Sequence, residues 1–275
     1  MKNFLLRTLT GTVYVVLIVS GIISNVYTFL CLFSIVTILC LWEFYSLINA
    51  QKRTKINPWY NCFGGFLLFV SVNLYAAGIF SHAIFFSYLV YIVIIFISEL
   101  YEKQQDPIIH AAYIFLGQSY IALPLSLLNL LVFSPTDANV IYYPVFVLAL
   151  FVFIWINDTG AYLVGILFGK HRLFKRISPK KSWEGFFGGL LLTIASSFVF
   201  AYFEPDVSHY HWIGISMIVV VFGAWGDLVE SLIKRSLEVK DSGKAIPGHG
   251  GFLDRFDSLL LAVYAVLFYV QLFIR

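Results

Sequence analysis

Charge is what this chain has least of. Only 12% of its 275 residues are Asp, Glu, Lys or Arg, against roughly 25% in an average soluble domain. Hydrophobic residues make up 60% and aromatic ones 19%, which excludes an ordinary soluble domain. Cysteine is sparse as well. Cys31, Cys40 and Cys62 lie in or beside early apolar runs, with no paired spacing and no nearby His; they read as apolar filler, not as a disulfide framework or a metal site. There is no linker, low-complexity tract or convincing repeat, so a single domain over 1–275 is expected. A net charge of +3 points to no nucleic-acid partner.

What is abundant is long apolar sequence. A spanning helix needs about 20 mostly apolar residues. Nine runs qualify or nearly qualify: 9–23, 26–48, 58–78, 83–99, 108–132, 144–167, 185–203, 212–233 and 255–274. The reading is an all-α polytopic membrane protein with about nine transmembrane helices. No pattern of small residues suited to cleavage follows the first run, so it reads as an anchor and not as a removed signal peptide.

The basic residues orient the chain. With the N-terminus in the cytoplasm, 17 of the 18 Lys and Arg residues fall on the cytoplasmic side and only Arg275 falls outside, as the positive-inside rule requires. A wrong helix count would scramble that alternation. The C-terminus then lies on the outer side of the inner (cytoplasmic) membrane.

The chain also divides by character. Residues 1–150 are apolar scaffold spans with short loops, and 151–275 hold the polar clusters, forming a working half. Glu43 is the exception in the scaffold: it reads as a snorkelling acid or the partner of a basic residue, ahead of any role in a site. In the second half, Asn157-Asp158-Thr159-Gly160-Ala161-Tyr162 puts an acid inside an apolar run, where it needs a partner, a cavity or a proton. It is either a helix-packing notch, which the small residues would suit, or the border of a polar cavity. Ser178-Pro179-Lys180-Lys181-Ser182-Trp183-Glu184-Gly185 enters the seventh run. Ser178 fits an N-cap with Pro179 at the first helical position. That would set Lys180 and Lys181 in the first turn, where cations are disfavoured unless an anion is held there; the alternative is a plain positive-inside anchor. Further on, Asp227, Glu230, Ser231 and Lys234 share a helix face, with Glu230 and Lys234 forming a favourable i,i+4 pair.

The densest block is Ser231–Asp257, which packs five cations, four acids, one His and four Gly into 27 residues. Hard carboxylate oxygens such as those of Asp227, Asp241, Asp254 and Asp257 suit Mg²⁺. Pro247-Gly248-His249-Gly250-Gly251 is a loop whose missing side chains allow a phosphate close to the backbone, with Lys240, Lys244 and Arg255 flanking it; its plainer reading is a turn. Ser231, Lys234, Arg235, Lys240, Asp241, Gly243, Ile246, Pro247, His249, Gly250, Gly251, Asp254, Arg255 and Asp257 together resemble the signature of phosphatidate cytidylyltransferases (CDP-diacylglycerol synthases), with no departure. The Asp158 run is similar to an Asp-(Thr/Ser)-Gly-Ala-Tyr segment of that family, and Ser178–Gly185 to its Ser-Pro-Lys-Lys-Thr-Trp-Glu-Gly segment, with Ser182 in place of Thr.

The resemblance implies an enzyme that joins CTP to phosphatidic acid in the bilayer, releasing pyrophosphate, with Mg²⁺ as cofactor, two metal ions in all, and a homodimer as its assembly. It implies Asp227 and Asp254 as metal ligands that meet although they lie on separate helices, with Asp241 and Asp257 as secondary ones. Phosphates would be clamped by Lys180, Lys181, Lys234, Arg235 and Arg255. Ser178, Lys240, His249, Gly250, Gly251 and Asp158 complete the substrate-binding set. The rival enzyme reading is another CTP-using lipid enzyme, such as a polyprenol kinase. A secondary transporter is the rival from another class, but transporters usually carry inverted repeats with interrupted helices in both halves, and this chain gathers its polarity in one half.

The orientation is open to a direct check: a tag in the Lys52–Lys55 loop should react from the cytoplasmic side, and labelling from the outer side would overturn the topology.

Overall fold

Without water to pair with, a backbone must satisfy its own N–H and C=O groups, and long apolar runs do so as helices. The structure, a computed structural model, describes residues 2–52, 54–101, 106–136, 139–243 and 250–275. Its chain falls into two compact units, Met1–Pro144 with Leu237–Arg255, and Val145–Ser236 with Phe256–Arg275. Most of the signature block, Leu237–Arg255, therefore belongs to the unit built by Met1–Pro144.

The first unit holds α1 (Lys2–Ile23), α2 (Val26–Lys52), α3 (Pro58–Ala76), α4 (Phe85–Tyr101), α5 (Pro107–Gly117) and α6 (Leu123–Val132). Local chemistry sets the boundaries. Asn25 accepts from the Tyr27 and Thr28 amides at 2.9 and 3.0 Å and so caps α2. Asn57 accepts from the Tyr60 amide at 3.3 Å, with Pro58 at the first position of α3, where its missing N–H costs nothing. Helices α5 and α6 continue one another through a π turn, Gln118–Ala122. Pro124 explains the turn: it supplies no N–H, and its ring crowds the carbonyl four residues back. A short antiparallel pair, β1 (Phe133–Pro135) and β2 (Val140–Tyr142), follows.

Phe29, Phe33 and Phe69 form the aromatic centre of this unit, fully buried, with Tyr142 edge-on to Phe29. Beside them runs a polar chain that the apolar surroundings oblige to be complete. Gln118 donates to the Asn61 carbonyl at 2.8 Å and to the Tyr45 hydroxyl at 3.2 Å. Tyr45 donates to the Ile114 carbonyl, and Tyr91 to the Asn61 side chain, both at 2.8 Å. The opposite extreme is α4, in which only Tyr91 and Ile95 are buried, while Phe86, Leu89, Val93 and Phe96 are exposed. An apolar face of that length suits lipid and not water.

The second unit comprises α7 (Val145–Phe168), β3 (Arg172–Phe174), β4 (Ser178–Ser182), α8 (Trp183–Phe203), α9 (His209–Ser236) and α10 (Asp257–Phe273). Its core centres on Trp212, which is fully buried and packs against Phe146 and Phe200. Helices α7 and α8 meet through glycine: a Cβ on Gly160 would lie 3.1 Å from the Gly189 Cα, and one on Gly185 would lie 2.7 Å from the Ala161 carbonyl. Small residues let two backbones approach in this way, so Gly185 and Gly189 serve packing.

The nine apolar runs coincide with helical segments, counting α5 and α6 as one. Among the described residues six helices are long and apolar enough to cross a membrane, and Thr8–Ile23 and Asp257–Phe273 are shorter apolar helices. Asn61 and Asn73 lower the apolarity of α3. The protein is thus a helical membrane protein, to whose all-α plan the structure adds two short hairpins in connecting segments.

Gln118→Leu should lower the stability of the detergent-solubilised chain by about 1–3 kcal/mol, because it strands the Asn61 carbonyl and the Tyr45 oxygen; a thermal unfolding midpoint equal to the parent's would show that the polar chain contributes nothing.

Candidate active site

In the second unit several polar side chains line a cavity of about 640 Å³, walled by α7, the β3–β4 hairpin, α8 and α9. Asn157 and Asp158 reach it from α7, Arg172, Lys180 and Lys181 from the hairpin, and Asp227 from α9.

The hairpin corrects one expectation. Ser178 is not an N-cap and Lys180 and Lys181 are not in the first turn of a helix, because Ser178–Ser182 is strand β4, paired with β3. Two features favour this outcome. Ser182 is itself a capping residue, and its hydroxyl accepts from the Gly185 amide at 3.2 Å. Glu184, in the first turn where an acid suits the dipole, accepts from the His171 amide at 3.1 Å and holds its imidazole Nδ1 at 2.6 Å. The hairpin is thus tied to the start of α8. Its two lysines lie on an extended strand, Lys180 exposed and Lys181 half-buried.

Lys181 forms an ion pair with Asp227. Asp227 also accepts from the Ser231 hydroxyl at 3.2 Å, one turn along α9. Asp257 at the start of α10 lies within electrostatic reach of Asp227, Asp158 and Lys181, and it accepts from the Ser258 amide at 2.6 Å. Gly226 makes this approach of α9 and α10 feasible, since a Cβ there would sit 2.5 Å from the Asp257 carbonyl oxygen. Three carboxylates therefore share the neighbourhood of one ammonium, a concentration of negative charge that favours cations. Among the described residues no three His, Cys, Asp or Glu side chains are gathered to hold a metal by themselves.

Farther along α9, Lys234 pairs with the buried Glu230 at 2.6 Å, as the helical spacing led us to expect. Lys234 and the exposed Arg235 are in the last turn of α9, where cations complement the helix dipole. Neither lines the cavity.

The rest of the signature belongs to the first unit. Asp254, in a short 3₁₀ turn, accepts from the Gly251 amide at 2.9 Å and the Ser242 amide at 3.2 Å. Gly250 has a φ of +87°, a conformation that glycine alone adopts without penalty. Lys240, Asp241 and Arg255 are exposed. Lys244, Ile246, Pro247 and His249 lie outside the described residues.

Glu43 is the residue that the sequence reading underrates. Its carboxylate accepts from the Ser242 hydroxyl, from the Phe252 amide at 2.9 Å and from the Leu253 amide at 3.2 Å. These partners are three donors of the signature segment, not a basic side chain. A lone acid in an apolar run signals that some partner exists, but not which one at the far end of the chain. Arg172, Asn157 and Ser258 were also missed as cavity residues; Asn157 and Ser258 adjoin acids already singled out, which was the available signal.

Fold and site together define a helical membrane protein with a basic and carboxylate-rich cavity suited to phosphorylated ligands. A profile of the cytidylyltransferase family matches residues 5–273, and the chain belongs to that family. It is 39% identical over 164 residues to the phosphatidate cytidylyltransferase of Staphylococcus aureus (strain COL), covering 59% of this chain and 60% of that protein. The protein of that name from Staphylococcus haemolyticus is 37% identical over 163 residues, with the same shares of the two chains covered. A third, from Staphylococcus epidermidis, is 48% identical over 120 residues, 43% of this chain and 46% of its own. The chain thus spans about 60% of the length of the first two relatives in these matches.

Gly250→Ala should disturb the signature turn, since alanine at positive φ costs roughly 1–2 kcal/mol and its Cβ would meet Asp254 Oδ2 at 2.7 Å. Faster hydrogen exchange at the Gly251 and Ser242 amides is the expected result; unchanged exchange would show that the turn does not depend on glycine.

Proposed function

We propose that this chain transfers a cytidylyl group from CTP to phosphatidic acid, yielding CDP-diacylglycerol and pyrophosphate. The observation that carries the reading is the cavity of the second unit, in which Arg172, Lys180 and Lys181 face Asp158 and Asp227. Membership of the cytidylyltransferase family and the names of the staphylococcal relatives support the choice of substrates, as does the complete signature.

In this reaction a phosphate oxygen of the lipid attacks the α-phosphorus of CTP. The new P–O bond forms as the bond to the bridging oxygen of the β-phosphate breaks, and pyrophosphate leaves with that electron pair. The nucleophile is already an anion, so little help from a base is needed. What must be supplied is alignment of two highly charged reactants and neutralisation of their charge. On this reading Lys180 and Arg172, at the open side of the hairpin, draw in and orient phosphates. Lys181, held by Asp227, is fixed in place before the ligands arrive.

The donor set also fits Mg²⁺. Asp227 and Asp257 supply hard oxygen atoms, with Asp158 within electrostatic reach of Asp257, and Mg²⁺ typically takes one or two carboxylates and completes its shell with water and substrate phosphates. When bound it would polarise the phosphates and offset the charge that develops on the leaving group. For Asp241 and Asp254 a role as metal contacts is proposed on the family pattern alone, as is a second metal ion. For Lys234, Arg235, Lys240, Arg255, His249, Gly250 and Gly251 phosphate contact is proposed on the same ground. A homodimer is likewise proposed from the family resemblance.

The placement we propose is nine spans in the cytoplasmic membrane with the N-terminus and the charged loops inside, supported by the fall of 17 of 18 basic residues on that side. Both reactants, a membrane lipid and a soluble nucleotide, then meet at the cytoplasmic interface.

Detergent-purified protein given CTP, phosphatidic acid and Mg²⁺ should release pyrophosphate only when all three are present. Asp227→Asn should lower the rate on the order of 100-fold or more while leaving the unfolding midpoint near the parent's. Release with a polyprenol acceptor but not with phosphatidic acid would transfer the assignment to another CTP-using lipid enzyme, and an active Asp227→Asn variant would remove Asp227 from the site.

A further inference from the structure

We infer that Glu43, on α2, is a positioning residue for the signature segment, holding the turn that carries Asp254 in the conformation that cytidylyl transfer requires; this rests on the function proposed above. A carboxylate within apolar sequence is costly unless its oxygen atoms are occupied. Here both are. Oε1 takes the Ser242 hydroxyl and the Leu253 amide, and Oε2 takes the Phe252 amide. The donors come from both ends of the segment, so one side chain ties Ser242 to the turn after Gly251. Asp254 makes a second tie across the same gap, from the Ser242 amide to the Gly251 amide. Fixing these two amides in turn fixes the Asp254 carboxylate.

An independent observation comes from the glycines. A Cβ on Gly243 would lie 2.7 Å from Glu43 Oε2, and one on Gly251 would collide with Glu43 Oε1 and the Ser242 hydroxyl. Two glycines of the signature are therefore small because the carboxylate of α2 occupies the adjoining space. A phosphate-cradling role does not explain why both lie against the same acid. The arrangement suits a charge-assisted clasp, in which an ionised acceptor makes stronger hydrogen bonds than a neutral one.

The test compares Glu43→Gln and Glu43→Asp with the parent in two measurements: hydrogen exchange at the Ser242, Phe252 and Leu253 amides, and kcat and KM for CTP. Glutamine keeps the shape but loses one acceptor and the charge. It should speed exchange at the Phe252 and Leu253 amides, leave α3 and α4 unchanged, and lower kcat on the order of 100-fold, the penalty expected of a slightly misplaced group. Aspartate should recover part of the loss. Faster exchange with unaltered kcat, or unaltered exchange, overturns the inference. Should Glu43→Gln fail to fold, Ser242→Ala removes one donor without touching the acid and should produce the same pattern in weaker form. A parent chain with no cytidylyl transfer would defeat the assigned reaction, and the exchange comparison would still decide whether Glu43 holds the segment.

Discussion

An ionised group surrounded by apolar sequence survives only if other groups answer it. That constraint shapes the principal charged contacts among the described residues. Glu43 is answered by two amides and a hydroxyl, Glu230 by Lys234, and Asp227 by Lys181 and Ser231. Each answer joins segments or successive helical turns, so the few charges that the chain keeps also tie its architecture together. The uncharged chain through Tyr45, Gln118, Asn61 and Tyr91 is held together in the same way.

The cavity of the second unit follows from this economy of charge. Glycines bring α7 against α8 and α9 against α10, and that close approach sets acids of three helices near one lysine. The hairpin supplies the cations on an extended strand, which spaces Lys180 and Lys181 onto opposite faces. One of them is therefore available to pair with Asp227 while its neighbour stays open to solvent and ligands. The basic residues of the hairpin suit phosphorylated ligands.

Much of the plan was legible in the residues. The nine apolar runs mark the helical segments, since a continuous apolar run of that length satisfies its backbone groups within itself only as a helix, and the spacing of Glu230 and Lys234 is enough to pair them on one helix. The start of α8 was misread because two serines, Ser178 and Ser182, both suit an N-cap. Local preference alone could not choose between them; strand pairing with Arg172–Phe174 and the hold of Glu184 on His171 decided in favour of Ser182. Glu43 was visible as an anomaly, yet its donors, Ser242, Phe252 and Leu253, lie near the other end of the chain, and no periodicity links them.

The sequence by itself determined the membrane character, the helical segments, the i,i+4 pair on α9 and the signature that places the chain among cytidylyltransferases, because these depend on composition and on spacings within a single element. Only the tertiary structure decided that the segment after Leu237 packs with Met1–Pro144, that Glu43 holds it, and that Lys181 answers Asp227. Those outcomes depend on which distant groups meet once helices pack, and the energy of a buried charge resides in its neighbours and not in its own position along the chain.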